Sequence, residues 1–417
     1  MERKKLLFLG VDTSTGEAIE YAKSKNVYTV VTDFSSPEVK KEKKLADEYW
    51  MIDVADFEAL KKQCMEEGIT NIYAGNHEFC LEQCKRLCKE LGLPFYASDD
   101  GWKASRNKVF YKEKCEKAGL LTPKEYYLDE NFSKKDLAKI QYPVIVKPSD
   151  SSAQKGFSIV SNQDELFTAY KKALEYSENK KIIVEDYVDG DDVYIGCYIH
   201  NKKLKFLHYT LDRFIMVDGQ KRFGFNANFS TFTDLVNEQL FSKYEKLISD
   251  LKCENGACMF QCKTRNNQIY NIEFSYRLDG IKIWRRVERL IGINELKMMV
   301  DLALGEKVSD NSFIAHEQKE MSLGYVVWAL PGKISKIEGK KELYLRDDVI
   351  LICDRFNEGD TVLNVVDMRT IAFIIEVFGK SYKDIAEKIT DINKNLHFYD
   401  DNMHDMLIYR VPDYENW

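Results

Sequence analysis

Over the first hundred residues, short apolar runs alternate with stretches of helical period, which predicts a βαβ succession. Leu6-Leu7-Phe8-Leu9 reads as a buried strand closed by Gly10, with a helix over 15–25. A second strand over 27–32 ends at Asp33, a short third is centred on Ile52, and 56–68 is an amphipathic helix. Residues 71–74 and 78–91 add another strand and helix, completing a small parallel sheet wound on both faces.

A helix over 104–118 follows, broken by Gly119 and Pro123. Residues 142–147 are a buried strand, 157–160 another, 164–176 a helix and 182–185 a strand that runs into the acidic turn Asp189-Gly190-Asp191-Asp192. Longer strands of antiparallel character occupy 193–200, 204–211, 256–263 and 268–276. From about 310 a short α+β tail carries 324–330, a turn at Pro331-Gly332, 362–366 and a helix over 381–393. The fold class is therefore α/β combined with α+β, and 417 residues call for two to four subdomains.

Composition narrows the setting. Hydrophobic residues at 44% and charged residues at 31% describe a globular chain, and a net charge of −7 disfavours non-specific nucleic-acid binding. Lys40-Lys41 and Lys43-Lys44 are diluted by acids and read as solvated surface. The opening residues lack the apolar core of a secretory signal, and no apolar run is long enough to span a bilayer, so a cytoplasmic location is expected. Ten cysteines then imply reduced thiols. Cys80, Cys84 and Cys88 lie on one helix face and read as a small buried stripe, because three thiolates on a straight helix cannot surround an ion. Cys258 and Cys262 receive the same reading.

Two places carry chemistry. Tyr142-Pro-Val-Ile-Val-Lys147-Pro148 puts a lysine at the exit of a buried strand, facing the small and polar loop 149–156. Such a loop offers N–H groups, hydroxyls and Lys155 to a phosphate chain, although a plain hairpin has the same pattern. Alternation then puts Glu273, Ser275 and Arg277 on one face of a strand, with Gln261 and Lys263 on the corresponding face of its neighbour. Charges there need ligands or one another, so either a metal–phosphate site or an internal ion-pair network accounts for them. At the first strand the dinucleotide glycine spacing is absent. Asp33 is compatible with a ribose or with a loop carboxylate.

In order along the chain, these segments resemble the ATP-grasp superfamily, most closely its biotin carboxylase, carbamoyl phosphate synthetase and amino-acid ligase branches. Asn107-Lys108 through Ala118-Gly119-Leu120-Leu121-Thr122-Pro123 is similar to dK…AGlptP, and 142–148 to yPvvvKP. Ser151-Ser-Ala-Gln-Lys-Gly156 stands where the family has its Gly-rich loop, and Ile183-Val-Glu-Asp-Tyr-Val-Asp-Gly190 resembles the adenine hinge. Gly256-Ala-Cys-Met-Phe-Gln261 and Ile272-Glu-Phe-Ser-Tyr-Arg277 take the place of the metal block.

The resemblance implies a two-lobed ATP-grasp core with a doubly wound N-terminal domain, divided 1–105, 106–188 (small lobe), 189–310 (large lobe with the metal site) and 311–417. It implies ATP with Mg2+ or Mn2+ as cofactors, and transfer of the γ-phosphate to a carboxylate followed by attack of an amine. Lys108 and Lys147 would hold phosphates under a loop that includes Ser151, Ser152, Lys155 and Gly156. Glu185, with the backbone of Asp186 and Val188, would take adenine, and Asp192 the ribose. Glu273, Gln261 and Ser275 would hold metal, Lys263 would lie beneath the adenine, and Arg277 would steady the acyl phosphate. Asp212 and Arg213, together with Lys221 and Arg222, are weaker substrate candidates, and Arg285 and Arg286 read as solvated. Expected partners are small-molecule carboxylates and amines, with no nucleic acid and no membrane; a homodimer is compatible.

This sequence departs from the family at Gln261, Ser275 and Lys263, where the pattern has an acid, an asparagine and an apolar residue. The site is thereby more positive. One metal in place of two, or loss of catalysis in a nucleotide-binding relative, are the alternatives to a ligase of standard type, along with carboxyphosphate chemistry.

Overall fold

The computed structural model describes residues 3–128, 131–149, 155–217, 220–365 and 368–413. Two compact units are present, one formed by 1–96, 207–231 and 277–417 and the other by 97–206 and 232–276.

In the first unit, Lys5–Leu9 pairs in parallel with Tyr28–Thr32 and Asn71–Tyr73, and Tyr28–Thr32 pairs onward with Glu48–Trp50. The third strand thus precedes Ile52. Asp56 caps the helix Phe57–Glu66 by accepting from the Ala59 N–H, a neat local stop for the preceding loop. Gly10 has φ +73°, and a Cβ there would sit 2.7 Å from the Cys80 sulfur, so the glycine lets the cysteine helix close on the strand exit. Cys80, Cys84 and Cys88 are all buried, as the helical spacing predicts. Nine of the ten cysteines are buried, with Cys353 half-buried, and burial pushes the Cys64 and Cys80 thiols up to about 12.

Lys43 corrects the surface reading of its cluster. It is fully enclosed, and its ammonium donates to the carbonyls of Asp33, Ser35 and Trp50 at 2.7, 2.9 and 3.0 Å. Asp33 in turn accepts from the Val11 and Ser35 N–H groups, which is the loop-carboxylate alternative.

The same unit holds an antiparallel sheet in which Gln220–Phe229, Met321–Ala329, Ile371–Gly379 and Val349–Asp354 follow one another. Leu323, Tyr325, Phe373 and Ile375 pack there against Ile385 and Ile389 of the helix Tyr382–Asn395. Arg286 was expected in solvent but is 3% exposed. Its guanidinium meets Glu376, itself 1% exposed, and donates to Asn226 at 2.8 Å. Helical phase explains this, since Arg286 follows Ile283 by three and precedes Leu290 by four on the buried stripe of Ile283–Ile291.

The second unit contains the antiparallel sheet Glu125–Tyr126, Ile182–Asp186, Val144–Pro148 and Ser158–Val160, in that order. Val144, Val146 and Val184 bury one face against Leu166, Ala169 and Ala173 of the helix Gln163–Glu175. A second ribbon pairs Asp191–His200 with Gly256–Arg265, and that strand with Gln268–Ser275. The expected helix over 104–118 is two, Asp99–Arg106 and Lys108–Ala118, divided at Asn107, whose side chain caps the second by accepting from the Phe110 N–H. Among the described residues no helix is long and apolar enough to cross a membrane.

Candidate nucleotide and metal site

The capped helix Lys108–Ala118 sets the geometry of the second unit's charged face. Its first residue, Lys108, and Lys112 one turn later project from the same side. Lys108 reaches the Glu273 carboxylate at 3.4 Å. Lys112 and Lys147 both contact Glu185, one on each carboxylate oxygen. Cross-strand register explains Lys147, because Ile145 faces Glu185 in the ladder and Lys147 sits one pleat along on the same side.

Glu185 is fully buried and Lys147 nearly so. Burial pushes the Glu185 carboxyl up, but the Lys147 and Lys112 ammoniums more than offset this and hold it below its ordinary range. Burial drives Lys147 down, and the like charge of Lys112 adds to that despite the attraction of Glu185. Two ammoniums share one carboxylate, so both directions are mutually consistent. The neighbouring Asp186 N–H is taken by the Lys124 carbonyl at 2.9 Å, and Val188 is buried.

On the ribbon, Gln261 stands opposite Glu273 and Met259 opposite Ser275. The register slips between Gln261 and Cys262, so Lys263 faces Tyr270 on one side and Asp192 on the other. Lys263 and Asp192 form an ion pair at 2.8 Å, and the Gln261 amide donates to the Tyr194 hydroxyl at 3.2 Å. That leaves the Gln261 carbonyl, the Ser275 hydroxyl and the Glu273 carboxylate as hard oxygen donors, the chemistry that suits Mg2+ or Mn2+. No group of three or more His, Cys, Asp or Glu side chains among the described residues is arranged to hold a metal. A single carboxylate fits an ion whose remaining ligands are phosphate oxygens and water.

Ser151 and Ser152 lie outside the described residues. Beside them, Gly156 has φ +72°, and a Cβ would come within 2.9 Å of the Pro148 ring, so this end of the loop requires glycine. Lys155 is exposed, and Ser149 bonds the Asn179 side chain. In the first unit, Arg277 donates to the Leu278 carbonyl at 2.9 Å and pairs with Glu78 at 3.3 Å. Asp212 accepts from Asn226 at 2.5 Å, and Arg213 falls opposite Phe225 in the ladder. Asn226 thus links Asp212 to the buried Arg286. Lys112 was missed in the sequence, although its four-residue spacing from Lys108 was a readable signal.

A family model described as D-ala D-ala ligase C-terminus matches residues 117–235. The chain is 34% identical over 115 residues to a D-alanine–D-alanine ligase of Geotalea uraniireducens, covering 26% of this chain and 36% of that protein. It therefore spans about a third of that relative's length. Among solved structures, phosphoribosylglycinamide synthetase from Anaerococcus prevotii aligns with a TM-score of 0.76 at 18% identity, covering 95% of this chain and 99% of that one. An L-amino acid ligase from Bacillus licheniformis aligns with a TM-score of 0.73 at 16% identity, covering 98% and 100%. At these identities the likeness is one of fold.

Proposed function

We propose that this chain, which belongs to the ATP-grasp superfamily, is an ATP-dependent carboxylate–amine ligase working through an acyl phosphate. The observation that carries the reading is the helix Lys108–Ala118, which sets one lysine on Glu273 and the next on Glu185. The likeness to a ligase that joins two alanines, to a phosphoribosylglycinamide synthetase and to an L-amino acid ligase supports the reaction class.

In the proposed reaction a substrate carboxylate oxygen attacks the γ-phosphorus, and the bond to ADP breaks. An amine then attacks the acyl carbon, inorganic phosphate leaves with the C–O electron pair, and the amine sheds its proton. Lys108 and Lys147 hold the phosphates as mobile point charges, with Ser151, Ser152, Lys155 and Gly156 over them. Glu185 accepts from the adenine amino group beside the backbone of Asp186 and Val188. Asp192 takes the ribose, steadied by Lys263. Glu273, with Gln261 and Ser275, would hold magnesium, which neutralises charge on the transferred phosphoryl group. Arg277 steadies the acyl phosphate, and Asp212 and Arg213 remain the substrate candidates.

Phosphate release measured against pools of carboxylates and amines, with ATP and magnesium or manganese, tests the whole. Turnover with a pair from both pools supports the ligase. Tight ATP binding with no turnover in any pool favours a non-catalytic nucleotide-binding protein, the reading that the uncharged Gln261 would then explain. Lys147→Ala is expected to weaken ATP binding by about 1.5–3 kcal/mol, the worth of a charge-assisted hydrogen bond. Titration calorimetry checks this, and unchanged affinity would remove Lys147 from the phosphate site.

A further inference from the structure

Lys112 has no part in the reaction above, yet it is among the most enclosed charges of its unit, at 4% exposed. Its ammonium takes one oxygen of Glu185 while Lys147 takes the other. The charged groups facing Glu185 come from three elements. Lys112 projects from the helix Lys108–Ala118, Lys147 from Val144–Pro148, and Glu125 from the adjoining strand, where it lies directly opposite Glu185 and 3.6 Å from Lys112. Lys108 adds a weaker positive field at Lys147.

One enclosed anion therefore carries two cations. A pair would suffice for neutrality, so the second ammonium needs a reason. A lysine that serves a phosphate chain must leave its resting partner, and an ionised carboxylate stranded in a dry interior is costly. With Lys112 in place, the departure of Lys147 relieves repulsion between two ammoniums and leaves a closed pair behind.

We propose that Lys112 is the standing counter-ion of Glu185, a positioning residue that keeps the carboxylate in place while Lys147 turns to the phosphates. The part concerning phosphates rests on the nucleotide reading above, whereas the counter-ion role rests on the buried triad alone.

The two parts are tested separately. Lys147→Ala leaves Glu185 with Lys112 only, so no nucleotide is needed to see what Lys112 does. With glutamate carboxyls labelled with carbon-13, the Glu185 signal in Lys147→Ala should remain that of an ionised carboxylate between about pH 6 and 8. In Lys147→Ala/Lys112→Met it should become protonated across that window, because burial then acts unopposed. An ionised Glu185 in the double variant would overturn the counter-ion role.

The second arm uses Lys112→Met alone, which retains a neutral Glu185–Lys147 pair and so is expected to fold. ATP binding is measured by calorimetry in two buffers of different ionisation enthalpy. The wild type should take up no proton at Glu185, whereas Lys112→Met should take up about one per ATP near neutrality, its affinity falling as pH rises. Lys112→Arg should restore wild-type behaviour. Weaker binding without proton uptake would mark Lys112 as mere packing and overturn the proposal. A wild type that binds no ATP, with the labelled-carboxyl result intact, would overturn the nucleotide reading and leave the counter-ion role standing.

Discussion

Glu273→Ala is expected to abolish ATP-dependent phosphate release, by a factor of about a thousand or more, while leaving the fold intact. The carboxylate is partly exposed, with Lys108 at 3.4 Å as its resolved ionic partner, so its removal strands no buried charge. It is also the one acid in the donor set with Gln261 and Ser275, which means that the proposed magnesium has no second carboxylate to fall back on. Losing several kcal/mol of transition-state charge stabilisation corresponds to a rate loss of about that size. The companion change acts in the other direction. Gln261→Glu should tighten magnesium binding, because a carboxylate outcompetes an amide oxygen for a hard divalent ion. Phosphate release and metal titration of wild type and both variants, under identical substrate pools, decide the matter. Turnover that survives Glu273→Ala would overturn the metal assignment.

The second large effect concerns stability. Arg286→Ala removes the guanidinium from Glu376 and from Asn226 inside the sheet of the first unit. Breaking one partner of a buried pair costs about 3–5 kcal/mol, more than most single substitutions. The pH dependence has a definite sign. Burial raises the Glu376 carboxyl even with Arg286 beside it, so the folded state binds a proton more readily than the unfolded chain. In the variant that bias increases. The folded variant is therefore helped at low pH, and the deficit relative to wild type should widen as pH rises from the ordinary carboxyl range toward neutrality. Guanidinium unfolding at several pH values reads this directly. A deficit that does not change with pH would mean that Glu376 stays ionised and has found another partner.

What the sequence could show follows from the range over which its signals act. Strand exits and hinges are local, so Lys147 after an apolar run and Glu185 in a hinge-like segment could be read from their neighbours. The alternation that put Glu273 and Gln261 on matching faces is equally local, and the ladder pairs them directly. Buried charges are different, because each is decided by a distant partner. Glu376 is 90 positions from Arg286, and the carbonyls that collect Lys43 come from two separate turns of chain. Default expectation sends such residues to solvent. Two oversights were not of that kind. The apolar run Ile371–Gly379 reads as a strand, and the spacing of Lys108 and Lys112 places both on one helix side. The single helix expected over 104–118 missed its break, because Asn107 is an ordinary helix residue until its side chain is seen turning back to cap.

The seclusion of the thiols has a practical corollary for spectroscopy. With nine sulfurs enclosed and only Cys353 half accessible, a maleimide dye has almost nothing to attack in the native protein. A Cys353→Ser background would be close to silent toward such reagents without disturbing the interior. One cysteine placed at the exposed Lys155 could then carry a fluorophore at the edge of the proposed phosphate loop. Its emission would follow ligand arrival in real time, with no need to know which acid or amine the protein joins.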